Sequence, residues 1–326
     1  MRASFVLVPK VRSIGWLYEM WAITSYYNPI RYKRRLSNYK IFRANLAVPL
    51  VTVELSFDGH FELTRNDADI LIQISGGAVL WQKERLLNVA IKSVPQNVSH
   101  IAWLDCDAVF EKPDWADNAK QKLCKFNIVQ LFSDLVDLGP ENFQSNVKHR
   151  DVRSTGHSIV GAINSDGLKQ LDVTVESGKD IRQPFPTGMG WAARREIIED
   201  HGLYDAMIIG GGDWAMVCAI YGQFEKAVQL LHLSKCRQEH YLRWARAYHK
   251  EVGGKIENVS GRIFHLWHGN FINRNSRDRH RLLAGFDFDP GGDLRIGSNG
   301  AWQWARPQPD LEDFLRNYFI RRAEDN

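Results

Sequence analysis

The sequence predicts an α/β fold, a mostly parallel sheet flanked by helices with C-terminal elaborations, and three observations carry that prediction. Apolar, β-branched runs alternate with amphipathic helical patterns through the first third of the chain. Three of these runs stop at turn residues, Asn28-Pro29, Asp58-Gly59 and Gly76-Gly77. A fourth, HIAWLD at 100–105, runs straight into Asp105 and then Asp107.

The elements follow in order. WAITSYY (21–27) is a strand of β-branched and aromatic residues. Residues 31–46 have helical spacing and a basic face of Arg31, Lys33, Arg34 and Arg35, which reads either as solvated surface or, at Arg31 or Arg34, as a phosphate contact. PLVTVELSF (49–57) and DILIQIS (69–75) are strands, WQKERLLNVAIKSV (81–94) is an amphipathic helix and HIAWLD is the fourth strand. NIVQLF (127–132) is a further strand. Residues 140–185 are polar and turn-rich with no clear long element, and Arg150 and His157 there suit a loop that closes over a ligand. Residues 188–202 read as a strand passing into a helix, 210–222 as a Gly-rich turn opening a helix, and 261–270 as a strand ending in polar residues. A final amphipathic helix spans 310–324, with Asp310 as its N-cap after Pro309. Trp302 and Trp304 suit core packing, or stacking on a sugar ring. No repeat, low-complexity segment or clean linker interrupts residues 1–326, so one continuous domain is expected.

Composition narrows the function classes. The 326 residues are 44% hydrophobic and 25% charged, which suits a globular chain and argues against disorder. A net charge of +4 is too small for a nucleic-acid stripe, yet it allows an anionic ligand or peripheral contact with a membrane surface. Cys106, Cys124, Cys218 and Cys236 form no CxxC pair, so neither a zinc site nor a disulfide framework is expected. No apolar run reaches the ~18 residues of a membrane span, and the apolar stretch in MRASFVLVPKVR is too short for a signal peptide. A cytoplasmic location is the expectation, and the two sequons at Asn97 and Asn258 then read as chance matches.

Three constellations carry chemistry. In parallel sheets ligands bind beyond the carboxyl ends of strands, where Asn28, Gly76-Gly77, Asp105 and Asp107 fall. In an extended segment residues i and i+2 face one side, so Asp105 and Asp107 can reach one divalent cation that also holds phosphate oxygens. They equally suit a turn that uses Asp for backbone hydrogen bonds, or an acid/base pair. His265 and His268, in HLWH, can both meet one metal if the chain turns there; isolated surface or core histidines are the alternative. Asp213, in IIGGGDWAM, falls in the first turn of a helix, whose positive end favours an ionised carboxylate. It is either a general base or an ordinary capping residue.

These residues resemble a known family. Residues 81–110 are similar to the stretch of the inverting β-1,4-galactosyltransferases that leads into their DVD motif. Residues 188–222 are similar to the later segment that ends in a GGED-type motif, and HLWH at 265–268 resembles their Met-x-x-His metal segment. Together the matches span about a third of the chain, in the family's order. The resemblance implies a GT-A (Rossmann-like) glycosyltransferase, with a nucleotide-binding half over about 18–135, an acceptor and metal half over about 185–275 and a C-terminal extension over about 276–326. It implies Asp107, His268 and, in place of the family's methionine, His265 as ligands of Mn²⁺ or Mg²⁺. Thr24, Tyr27, Asn28, Arg31, Trp81, Lys83, Asp105, Cys106 and Asp107 fall on the donor side. Asp213 aligns with the catalytic base, and Trp191, Gly211, Gly212 and Trp214 fall on the acceptor side.

Two departures limit the carry-over. Gly212 stands where the family has a glutamate and Ile209 where it has a tryptophan, and both family residues help hold the acceptor sugar. The implied reaction moves a sugar from a nucleoside diphosphate-sugar, a UDP-sugar by preference, to a glycan hydroxyl with inversion. The rival readings are a retaining transferase, a non-catalytic sugar-nucleotide-binding protein, and a nucleotidyltransferase. The last normally shows a Gly-rich loop after the first strand, where this chain reads YYNPIRYKRR.

Overall fold

The computed structural model describes residues 19–140, 151–172, 180, 182–276 and 278–326. Its strands are β1 (Met20–Tyr27), β2 (Leu50–Ser56), β3 (Ile70–Ser75), β4 (His100–Leu104), β5 (Ala108–Phe110), β6 (Ile128–Gln130), β7 (Asp134–Leu138), β8 (Val152–His157), β9 (Gly190–Arg194), β10 (Ile256–Asn258), β11 (Arg262–His265), β12 (Leu294–Ile296) and β13 (Trp302–Trp304). Its helices are α1 (Lys33–Ala44), α2 (Lys83–Ile91), α3 (Trp115–Leu123), α4 (Ile159–Asp166), α5 (Arg195–His201), α6 (Gly212–Ile220), α7 (Phe224–Leu230), α8 (Lys235–Val252), α9 (Asp278–Leu283), α10 (Pro290–Asp293) and α11 (Pro309–Arg321).

The main sheet has the order β10-β6-β9-β4-β1-β2-β3. Strands β1 to β4 pair in parallel, β10 is parallel to β6, and β9 runs antiparallel to both β4 and β6. The sheet is thus mostly parallel, as the alternating pattern predicts. Every residue of β1 is buried. Trp21, Ile23 and Tyr27 face the core beneath α2, α6 and α8, while Met20, Ala22 and Tyr26 face the core beneath α1 and α3. Such two-sided burial is why the strands read as continuous apolar runs. Each fully buried side chain of the Ile23 or Val51 kind contributes roughly 1.5–3 kcal/mol.

A second sheet has the order β5-β11-β7-β8. The chain passes from β4 in the first sheet to β5 in the second through residues 105–107, so the aspartates stand at the seam between the sheets. The 140–185 stretch departs from expectation: β8 and α4 lie within it, with Ser158 accepting from Gly161 N–H as the N-cap of α4. The cap of the last helix differs as well. Gln308 is the N-cap and Pro309 opens the helix, the position where a fixed φ and a missing N–H cost least. Leu311, Leu315 and Phe319 of α11 pack into the same core as β1 and α2. Among the described residues no helix is long and apolar enough to cross a membrane, and none of the four cysteines is disulfide-bonded.

Candidate functional site

A turn closes between β4 and β5, with Ala108 N–H donating to the Asp105 carbonyl at 3.2 Å. This turn splits the aspartate pair. Asp105 accepts from Met189 N–H at 3.1 Å and pairs with Lys83 Nζ at 2.6 Å. Asp107 instead meets His268 Nε2 at 3.1 Å and His265 Nε2 at 3.9 Å. The expected extended segment is therefore corrected: the backbone turns after Asp105, and each carboxylate has its own protein partners.

The antiparallel pairing of β11 with β5 sets His265 opposite Ala108, and Leu266 N–H donates to the Asp107 carbonyl at 2.9 Å. Ligand atoms of Asp107, His265 and His268 all lie within 4.8 Å of one another. Two further features fit a divalent cation. Asp107 Oδ1 is buried and has no hydrogen-bond partner. Each histidine also has a buried carboxylate behind it: Asp137 Oδ1 is 2.7 Å from His265 Nδ1, and Glu324 Oε1 stands 3.7 Å from His268 Nδ1. Arg182 Nη2 also stands 2.7 Å from His265 Nδ1, and His268 Nε2 stands 3.1 Å from His265 Nε2; in either tautomer a neutral imidazole keeps one ring nitrogen free to accept. Burial first, then Arg182, pushes the pKa of His265 down to about 4, so the imidazole is neutral as a ligand must be. Burial opposes the charge of Asp107, but His268, His265 and Arg274 hold its carboxyl well below the usual range.

Guanidinium groups surround this trio. Arg182 Nε donates to both oxygens of Asp137, at 2.8 and 2.7 Å. Arg274 Nη2 is 3.1 Å from His268 Nε2. Arg153, Arg182 and Arg274 all lie over the ring of Phe271, at 4.8, 5.0 and 4.8 Å from its centroid. On the other side Glu324 is clamped by Arg322 and by the Arg35 fork, at 2.5 and 2.9 Å.

The second cluster forms around Asp213. Gly211, with φ +97°, caps α6 in the left-handed region and places Asp213 in the first turn. Lys83 Nζ is 3.0 Å from Asp213 Oδ2, so one ammonium bridges Asp105 and Asp213. Burial raises the pKa of Asp213 and the charge of Asp105 adds to it, while Lys83 works the other way. Burial is the largest of these influences, and Asp213 holds a proton more tightly than a free aspartate does. Met189 carries a positive φ of 80°, held by its carbonyl on Asp105 N–H and its own N–H on Asp105 Oδ2.

Tyr27, Trp81, Lys83, Asp105, Cys106, Asp107, Gly211, Asp213, Trp214, His265 and His268 all line one cavity of about 320 Å³. Five predicted residues, Thr24, Asn28, Arg31, Trp191 and Gly212, lie elsewhere. Thr24 is buried and donates its hydroxyl to the Leu104 carbonyl at 2.7 Å. Asn28 spends its amide on Tyr32 and Glu62, and Arg31 pairs with Asp58 at the surface; both border a separate depression. Trp191 is 1% exposed in β9, with its indole N–H on the Thr187 carbonyl at 2.8 Å. Gly212 lies under the cavity wall against Glu84. Trp302 packs in the fold, its indole N–H on the Asp205 carbonyl at 2.8 Å. His157 is exposed and pairs with Asp134, and Arg150 lies outside the described residues. Sequence reasoning missed Glu84, Asp137, Arg182, Arg274, Arg322 and Glu324. Asp137 alone left a signal, as a carboxylate inside the otherwise apolar stretch LVDL.

No protein-family model and no curated protein sequence matches the chain. Among solved structures it is similar to a mannosyltransferase from Pyrobaculum calidifontis in complex with GDP-Man and Mn²⁺, with 13% identity, TM-score 0.34, and 99% of this chain and 90% of that one covered. It is also similar to the catalytic domain of Drosophila β1,4-galactosyltransferase 7 in complex with xylobiose, with 10% identity, TM-score 0.34, and 91% and 98% covered. A third is 4-diphosphocytidyl-2C-methyl-D-erythritol synthase from Anaerococcus prevotii, with 9% identity, TM-score 0.35, and 76% and 88% covered. These scores stand below 0.5, so the functional reading rests on the geometry of the site.

Proposed function

We propose that this chain is a metal-dependent glycosyltransferase that moves a hexosyl group from a nucleoside diphosphate-sugar to a glycan hydroxyl, with inversion. One observation carries the reading: a three-ligand cation site, a ring of guanidiniums and a buried carboxyl with a raised pKa share one cavity at the carboxyl end of β4. The resemblance to the β-1,4-galactosyltransferases favours a UDP-sugar as donor.

Asp107, His265 and His268 would hold Mn²⁺ or Mg²⁺. Bound there, the ion supplies positive charge against the diphosphate leaving group. Arg182 and Arg274 stand beside the trio and add charge on the same side. Tyr27 and Trp81, 6.1 Å apart edge to face, offer an aromatic wall for the nucleoside. Asp213 takes the proton of the acceptor hydroxyl. That oxygen bonds to the anomeric carbon, the bond from that carbon to the diphosphate oxygen breaks, and the nucleoside diphosphate leaves with the electron pair. Lys83 holds Asp213 and Asp105 in place before the acceptor arrives.

The test is nucleoside diphosphate release from a panel of UDP-sugars and GDP-mannose, with Mn²⁺ and with chelator, followed by NMR assignment of the product anomer. The reading expects metal-dependent release from one donor and an inverted product. Release of pyrophosphate from a nucleoside triphosphate instead would make the chain a nucleotidyltransferase.

A further inference from the structure

Behind Asp213 sits a group that the proposed reaction leaves unused. Glu84, in the first turn of α2, is 5% exposed, and its Oε1 has no hydrogen-bond partner. It lines the main cavity and also a void of about 10 Å³ walled by Leu87, Trp103, Leu203, Tyr204 and Met216. A void of that size is at the lower limit for one water. The main cavity, which Glu84 also lines, is the side from which a ligand larger than water would meet it.

The place of Glu84 depends on its neighbour. A Cβ on Gly212 would come within 2.4 Å of Glu84 Oε1 and 2.5 Å of its Cδ. Glycine before the base is what lets this carboxyl enter the wall. Burial pushes its pKa up to about 8, Asp213 and Asp105 push the same way, and Lys83 opposes them. Tyr27 and Tyr204 are the other titratable groups facing it. At neutral pH it is a carboxylic acid with an unspent hydrogen bond. Glu84 lines that small void together with Asp213, Lys83 and Gly212, which puts it on the base side of the cavity.

We propose that Glu84 recognises the acceptor: its carboxyl group hydrogen-bonds a hydroxyl adjacent to the one that Asp213 deprotonates, so the acceptor is a sugar bearing two neighbouring hydroxyls. This assignment rests on the glycosyltransferase reading. The position taken by Glu84 is filled from α2, and Gly212 contributes by having no side chain.

The test loads the protein with UDP and Mn²⁺ and titrates it with a panel of monosaccharides and their deoxy analogues, read by ligand-observed NMR. Glu84→Gln keeps a neutral donor and should bind the responding sugar within about threefold of wild type. Glu84→Ala and Gly212→Ala should each weaken it about tenfold or more. The deoxy analogue lacking the adjacent hydroxyl should lose affinity for wild type and lose nothing further for Glu84→Ala. UDP binding should persist in every variant, which reports that each is folded. Equal sugar affinity in wild type and Glu84→Ala overturns the assignment, as does absence of any sugar response from UDP-loaded wild type. If wild type fails to bind UDP, the functional reading itself falls and takes the assignment with it.

Discussion

The proposed cation site and the proposed base site gather carboxylates in one cavity and treat them in opposite ways. Asp107 meets two imidazoles, Arg274 stands on His268, and buried Asp137 and Glu324 back the histidines. Its charge is locked on. Around Asp213, one ammonium, Lys83, faces three carboxyl groups, those of Asp105, Asp213 and Glu84. There burial wins, and Asp213 and Glu84 hold their protons more tightly. The balance of cations to carboxyls at equal depth decides whether an aspartate is a fixed ligand or a proton acceptor.

The sharpest break in that contrast is Asp213→Asn, which keeps the shape and removes the proton acceptor. Transfer should fall about 10²–10⁴-fold with UDP affinity unchanged, read by steady-state kinetics and a direct UDP titration. Unchanged turnover would remove Asp213 from the mechanism. Next comes Asp137→Asn, which changes the residue behind His265, one that Arg182 and Ser154 also bond. Mn²⁺ affinity should weaken about 10–100-fold while the pH profile of transfer keeps its shape. An affinity equal to wild type would mean that Asp137 does not orient the ligand.

Lys83→Met sharpens the other half. Lys83 lowers the pKa of Asp213, so removing it raises that pKa, and less of the base is ionised at a given pH. The acid limb of the transfer profile should move to higher pH; a limb that stays in place counts against Asp213 as the group it reports. The smallest effect is on stability. The pKa of Glu84 rises on folding from 4.5 to about 8, so the folded state keeps a proton that the unfolded chain has released. Its contribution is fully present below pH 4.5 and is lost as pH climbs through about 8. Glu84→Gln has no such loss, so the difference in Tm should swing toward the variant across that window. A constant difference would show that Glu84 does not hold the proton.

What the sequence reveals follows from how each part is made. Strands β1, β2 and β4 are legible because they are buried on both faces, and the edge strand β3 because its alternating run ends at Gly76-Gly77. Helix α8 escapes notice although its buried positions, Arg237, Tyr241, Ala245, Tyr248 and Val252, keep a spacing of three and four. Its stripe holds an arginine and two tyrosines in place of aliphatic residues, so apolar periodicity does not mark it. Asp105, Asp107, Asp213, His265 and His268 stand out because each interrupts or ends an apolar run. Glu324 looks like part of a charged tail, and Arg182 and Arg274 like isolated surface cations. Only tertiary contact across 128 residues of separation joins His265 to Asp137. Thr24 and Trp191 mislead in the other direction: both belong to strands that border the site, and both turn their polar atoms to backbone carbonyls inside the fold.

The most direct test of the central claim is an electron paramagnetic resonance titration of Mn²⁺ into wild type and Asp107→Ala. The account predicts one tight site in wild type that is lost in the variant, with the fold intact by circular dichroism. Equal Mn²⁺ binding by the two proteins would contradict a cation site built on Asp107, His265 and His268.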